Sequence, residues 1–263
     1  MKRNRLLARF AVLSVAALAC ATAPSRKDRE ASDIHYQLGA EALQQGRHED
    51  ALREFDQSLR FNERNGDAYL GRGSAYLSFG KMTEAERDYR RAIEVLGEKH
   101  GAEQGPAGPE LSQAHNALGQ LLARTGRLEQ AIAEFDLAIG NDLYREAYVA
   151  RYNKGLALYN LGRHQESIVE LRACLALAPR FCAGHRELGR IELGEGKVKE
   201  ALESFTRYTE ICGKVADAWL QLGLAEMKAG DTERAREAFE TCAKLPGENE
   251  NADECRRKIK VLQ

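Results

Sequence analysis

Six cysteines and six histidines are the side chains in this 263-residue chain whose types and spacing most directly invite chemistry. Histidines could bind a metal or serve as general bases, but their positions argue otherwise. His35, His115 and His185 each stand four residues before a recurring glycine, and Tyr69 and Trp219 fill the same position elsewhere. A slot that accepts His, Tyr and Trp alike is a packing slot. His48 and His164 share a second recurring position, and His100 lies in a stretch rich in Gly and Pro. Gly80-Lys81 and Gly196-Lys197 look like the ends of phosphate loops. However, Ala75 and Ile191 stand where the leading Gly belongs, and Met82 and Val198 replace the Ser or Thr that would meet the magnesium ion. There is no Gly-x-Ser-x-Gly, His-Glu-x-x-His or Cys-x-x-Cys. The expectation is a non-enzymatic protein with no catalytic residues, metal, cofactor or small-molecule substrate.

The cysteines point to an oxidising compartment. Apart from Cys20, all lie in the last third of the chain: Cys174, Cys182, Cys212, Cys242 and Cys255. Five is odd, so at most two disulfides form and one thiol is left over. Cys242, near the end of one helix, and Cys255, early in the next, are placed to meet across an antiparallel pair. Of the other three, Cys174–Cys182 or Cys182–Cys212 would each close one end of the fifth repeat described below. The alternative is that some stay reduced, because Cys174 and Cys242 also fill a small-residue packing slot.

Cys20 has a different role. Lys2, Arg3, Arg5 and Arg9 precede the apolar run Phe10 to Leu18, which is too short to span a bilayer and reads as an export signal. Ala17-Leu18-Ala19-Cys20 resembles a bacterial lipoprotein cleavage box, in which the cysteine is acylated and becomes the mature N-terminus. Residue 21 is Ala and not Asp, which in such lipoproteins is compatible with outer-membrane delivery. Residues 1–19 are then signal peptide, and residues 20–31, polar and containing Pro24, a lipidated cysteine and flexible tether. The whole chain has 39 Lys plus Arg against 40 Asp plus Glu. Loss of the leader leaves 35 against 40, a mildly acidic chain with no basic patch for nucleic acid.

What positions all of these residues is a repeat. Gly39, Gly73, Gly119, Gly155, Gly189 and Gly223 each precede a second glycine by seven residues: Gly46, Gly80, Gly126, Gly162, Gly196 and Gly230. Five residues beyond the second glycine stands a small residue (Ala51, Ala85, Ala131, Ser167, Ala201, Ala235). Four further comes a large apolar one (Phe55, Tyr89, Phe135, Leu171, Phe205, Phe239). Successive first glycines are 34, 46, 36, 34 and 34 residues apart. This resembles the tetratricopeptide (TPR) repeat, a pair of antiparallel helices A and B. The first glycine lets helix B cross helix A closely, and the second ends helix A in a left-handed turn. The expected architecture is all-α: a right-handed α-solenoid of six TPR hairpins over residues 32–249, closed by a capping helix over 250–263. The 46-residue step places an inserted loop near 98–109.

In a TPR stack helix A lines the concave groove. Counting three before, one after and four after each helix A glycine gives Tyr36, Ala40, Leu43, Leu70, Ser74 and Leu77 in repeats one and two. Repeat three contributes Asn116 and Gln120 with Ala123, and repeat four Tyr152, Leu156 and Tyr159, with Asn153 and Asn160 beside them. An apolar groove with amide donors suits a peptide segment of a protein partner. It differs from the basic clamp of chaperone-linked TPR domains, because Tyr36 and Ala40 stand where that family uses Lys and Asn.

The signal, the tether and six TPRs with little else resemble the PilF/PilW/Tgl pilotins of type IV pili. The resemblance implies an outer-membrane lipoprotein on the periplasmic face that binds a secretin protomer and promotes its localisation and multimerisation. The alternative is an envelope TPR lipoprotein that scaffolds cell-wall hydrolases or an outer-membrane protein assembly complex.

Overall fold

The computed structural model describes residues 23–103, 108–246 and 250–262. The signal peptide and Cys20 lie outside the described residues. Thirteen helices and no strand occur among the described residues. They pair as α1 (Arg26–Gln44) with α2 (His48–Phe61), α3 (Gly66–Ser78) with α4 (Met82–Glu103), and α5 (Pro109–Arg124) with α6 (Leu128–Ile139). The series continues with α7 (Ala147–Asn160) and α8 (His164–Leu177), α9 (Cys182–Gly194) and α10 (Val198–Cys212), and α11 (Ala216–Ala229) and α12 (Thr232–Lys244). Helix α13 (Glu250–Val261) packs on α12 and α11 at the C-terminal end.

Each glycine column has a geometric cause. A Cβ on Gly39, Gly73, Gly119 or Gly189 would stand 2.6–2.8 Å from the ring of Phe55, Tyr89, Phe135 or Phe205 in the same hairpin. The helices are therefore as close as glycine permits, and the large side chain of helix B fills the place of the absent one. In repeat four the partner is the slimmer Leu171, and the corresponding gap at Gly155 is 3.0 Å. All six second glycines have φ between 70° and 86°. The residue after each returns a hydrogen bond to the carbonyl five positions back, from Arg47 to Ala42 (2.8 Å) through to Asp231 and Glu226 (3.0 Å). That bond closes the helix A terminus, and helix B begins at once.

The helix B columns are the core. Ala51, Phe55, Ala131, Phe135, Ala201, Phe205, Ala235 and Phe239 are all fully buried. Burial of each ring stabilises the stack by about 1.5–3 kcal/mol. Ser167 replaces the small alanine in repeat four, where its hydroxyl donates to the Gly155 carbonyl at 2.7 Å. Charged ladders bind consecutive repeats. Arg72 of α3 donates to Asp56 on α2 and to Asp88 on α4, and Lys154 of α7 joins Asp136 on α6 to Glu170 on α8, with 2.7 Å contacts to each.

Two boundaries differ from the sequence expectation. The tether assigned to 20–31 gives way to helix at Arg26, because Ser25 and Asp28 form a reciprocal capping box that starts α1. The insertion near 98–109 is not a loop throughout. Helix α4 runs on to Glu103, taking in His100, and α5 begins at Pro109.

The cysteines pair as Cys182–Cys212 and Cys242–Cys255, with Cα atoms 6.4 and 6.2 Å apart. The second bridge is the one expected across the last antiparallel pair. Cys174–Cys182 is overturned: the start of α9 faces the end of α10, which places Cys182 against Cys212. Cys174 stays a free thiol, fully buried in its small-residue slot, and burial pushes its pKa up to about 11. It is packing material, not a nucleophile.

Candidate functional site: the helix A groove

Successive A helices touch one another, α1 with α3, α5 with α7 and α9 with α11. They therefore form the inner face of the solenoid, and their outward-turned slots line its groove. Of the sequence-assigned residues, Tyr36, Ala40, Leu43, Leu77, Leu156, Tyr152 and Tyr159 are half-buried there, and Gln120 is exposed. Leu70 and Asn116 are buried. Leu70 belongs to the core that joins repeats two to four, so it forms part of the groove floor and presents no side chain to a partner. Asn116 accepts a hydrogen bond from Asn153 at 3.3 Å, which ties α5 to α7. Ser74 is also occupied within the fold, donating to the Leu70 carbonyl at 3.1 Å and lying 3.2 Å from the Tyr89 hydroxyl.

Near the N-terminal end the groove is apolar and acidic. The Tyr36 ring leans on Phe55, and its phenol pKa is raised by burial and then by Asp67 and Glu110. Asp67 is itself raised, mainly by burial and then by Glu110. The Tyr36 phenol of α1 therefore shares its surroundings with the carboxylates of Asp67 on α3 and Glu110 on α5. Toward repeats four and five the groove becomes aromatic and cationic. Tyr148 and Tyr152 meet the edge of Phe181 at 5.4 and 5.2 Å. The Arg190 guanidinium lies 4.6 Å from the Tyr159 ring centre and also bonds Glu187. Counting three slots per helix missed Tyr148, Phe181, Asp67, Glu110 and Arg190. Tyr148 was within reach, because it precedes Tyr152 by one helical turn.

The recurring histidines are structural. His35 and His115 bond Glu54 and Glu134, both at 2.7 Å, and in repeat four the pair is Arg151 with Glu170 at 2.9 Å. Among the described residues, no group of three or more His, Cys, Asp or Glu side chains is arranged to hold a metal ion. Likewise, no helix among them is long and apolar enough to cross a membrane.

These features define a repeat scaffold that offers a groove. The chain belongs to the tetratricopeptide repeat family: one TPR family matches residues 36–100, 98–144 and 186–249, and a second matches 148–181. TPR proteins bind protein partners. Solved structures of similar fold include PilW, a type IV pilus biogenesis factor, with TM-score 0.70 and 23% identity, covering 85% of this chain and 97% of PilW. PilF of Pseudomonas aeruginosa superposes with TM-score 0.72 at 18% identity, covering 89% of this chain and all of PilF. Among curated proteins, anaphase-promoting complex subunit 3 of Schizosaccharomyces pombe is 28% identical over 61% of this chain, and superkiller complex protein 3 of Mus musculus 28% identical over 70%. The chain spans only 22% and 12% of those two proteins, so they share the repeat with it and not its extent.

Proposed function

We propose that this chain is a TPR lipoprotein, anchored through Cys20 to the periplasmic face of the outer membrane, that binds a secretin subunit in its groove and promotes secretin localisation and multimerisation for type IV pilus assembly. It does so without chemistry of its own. The observation that carries the reading is one of extent. The helical hairpins of this chain superpose on 97% of PilW, a type IV pilus biogenesis factor, and on all of PilF. Two disulfides in the last third accord with an oxidising periplasm. The contact is assigned to repeats one to three, where Tyr36, Ala40, Leu43 and Leu77 offer apolar surface beside Gln120.

The test is co-expression with the secretin encoded in the same genome, followed by gel analysis of heat-resistant multimers. Gln120→Arg, on an exposed position, and Leu77→Arg are expected to reduce multimers at least tenfold while circular dichroism stays helical. Cys20→Ala is expected to leave secretin subunits mislocalised. Normal multimers in both groove variants would refute the assignment, as would co-purification of a cell-wall hydrolase in place of a secretin.

A further inference from the structure

The outer face of the solenoid also follows a pattern, and the pattern breaks at its middle. Successive A helices touch along the inner face, so the B helices stand on the convex side. On each B helix the residues fourteen, eighteen and twenty-one after the helix A glycine point away from helix A, opposite the buried small and aromatic columns. Repeats one and two carry Arg53, Gln57 and Arg60, then Arg87, Arg91 and Glu94 at these positions. Repeats five and six carry Glu203, Arg207 and Glu210, then Glu237, Thr241 and Lys244. Residues of this kind make an ordinary solvated back.

Repeats three and four depart from it. Their six residues are Ala133, Leu137 and Gly140 on α6, and Val169, Ala173 and Ala176 on α8, and none is charged. Leu137 is 58% exposed and Val169 63%, and Leu177, next to Ala176, is 58% exposed. The charges between these two helices are matched inside the fold. Lys154 of α7 joins Asp136 to Glu170 with 2.7 Å contacts, and Arg172 donates to Glu192 at 2.7 Å. An exposed apolar side chain standing alone is normal, but three large ones on neighbouring B helices mark a surface that something covers.

The position and relief of the patch fit a second copy of the same chain. Two convex surfaces meet only over their apices, and the patch lies on the third and fourth of six repeats. A two-fold axis parallel to the helices, between α6 and α8, brings α6 of one copy against α8 of the other at the same height. Each large residue then meets a small one: Leu137 faces Ala173, Val169 faces Ala133, and Gly140 faces Ala176. The same operation sets repeat two opposite repeat five. There Arg87, Arg91 and Glu94, net positive, look toward Glu203, Arg207 and Glu210, net negative.

We propose that a second copy of this chain covers the patch, in a two-fold dimer joined back to back through α6 and α8. The interface is small, so the dimer dissociates in the micromolar range. Both grooves stay open and face away from each other, so one dimer holds two partner segments at once. The test is sedimentation velocity of the full-length chain in density-matched detergent between about 1 and 200 µM. Wild type is expected to pass from monomer to dimer over that range. Leu137→Glu and Val169→Glu each raise the dissociation constant at least tenfold while the helical circular dichroism is kept. Gln57→Glu, on the back of repeat one, leaves it within twofold. Ala173→Leu sets large against large and weakens the dimer. Adding Leu137→Ala to it exchanges the large and small positions and restores pairing to within threefold of wild type. A monomer throughout, growth beyond the dimer, a dimer indifferent to both glutamate variants, or no recovery in the exchanged variant overturns the proposal.

Discussion

Replacing Cys255 by Ala tests how the C-terminal cap is held. Helix α13 has 12 residues, at the lower limit for a helix that persists alone in water. Its noncovalent hold is small: Ala252 and Cys255 are buried, Ile259 and Leu262 pack at the edge of the last core, and Arg236 donates to the Leu262 carbonyl at 2.7 Å. The bridge to Cys242 spans a sequence separation of 13 residues. Closing a loop of that size removes unfolded-state entropy worth about 3 kcal/mol. At 1.4 kcal/mol per factor of ten, the variant should open α13 roughly 100-fold more often. Because each repeat leans only on its neighbours, the loss should stay local. Hydrogen exchange read by mass spectrometry should show faster exchange in α13 and the end of α12, with repeats one to four unchanged. Protection of α13 within threefold of wild type would refute the reasoning, as would a uniform loss along the solenoid.

Gly119→Ala brings a methyl 2.6 Å from the buried Phe135 ring, and the overpacking should cost about 1–3 kcal/mol in urea unfolding. Adding Phe135→Leu, the pairing that repeat four uses, should recover part of the loss. Gly126→Ala meets no neighbour within 4 Å but sits at φ 80°, so a loss of about 1–2 kcal/mol there would be purely conformational. The Glu86 carboxylate receives both arms of Arg127, at 2.9 and 2.6 Å, which hold its pKa below the usual carboxylate range. A depressed folded-state pKa adds stability above the unfolded value, so wild type should exceed Glu86→Gln by about 0.5–1 kcal/mol near pH 7. That margin should vanish as pH falls through the lowered value, as measured by paired thermal melts at several pH values. Leu70→Arg, placing a charge in the core between repeats, should lower the thermal midpoint far more than Leu77→Arg.

What was legible in the sequence was everything that recurs. The twelve glycines, the small-residue column and the aromatic column each answer to contacts inside one hairpin, so their spacing alone implied them. Cys242–Cys255 was legible for the same reason, because both cysteines flank one turn. The hidden features depend on how neighbouring repeats meet. Leu70 and Asn116 occupy groove slots by count, but the adjacent hairpin covers them. The start of α1 was present as Ser25 and Asp28 but was masked by Pro24 and a polar composition. The extension of α4 was masked by Gly101, which costs a helix only about 1 kcal/mol.

The two disulfides also decide how the chain would bear tension. Pulled from its ends, the solenoid carries load along every peptide bond except those inside a closed covalent loop. Residues 183–211 and 243–254 are such segments, short-circuited by Cys182–Cys212 and Cys242–Cys255. At about 3.5 Å per residue, the two loops withhold roughly 150 Å of contour from any extension. Repeats one to four have no such shunt among the described residues and unravel along their full length. The molecule is a spring with a compliant N-terminal part and a C-terminal part that reaches its limit early.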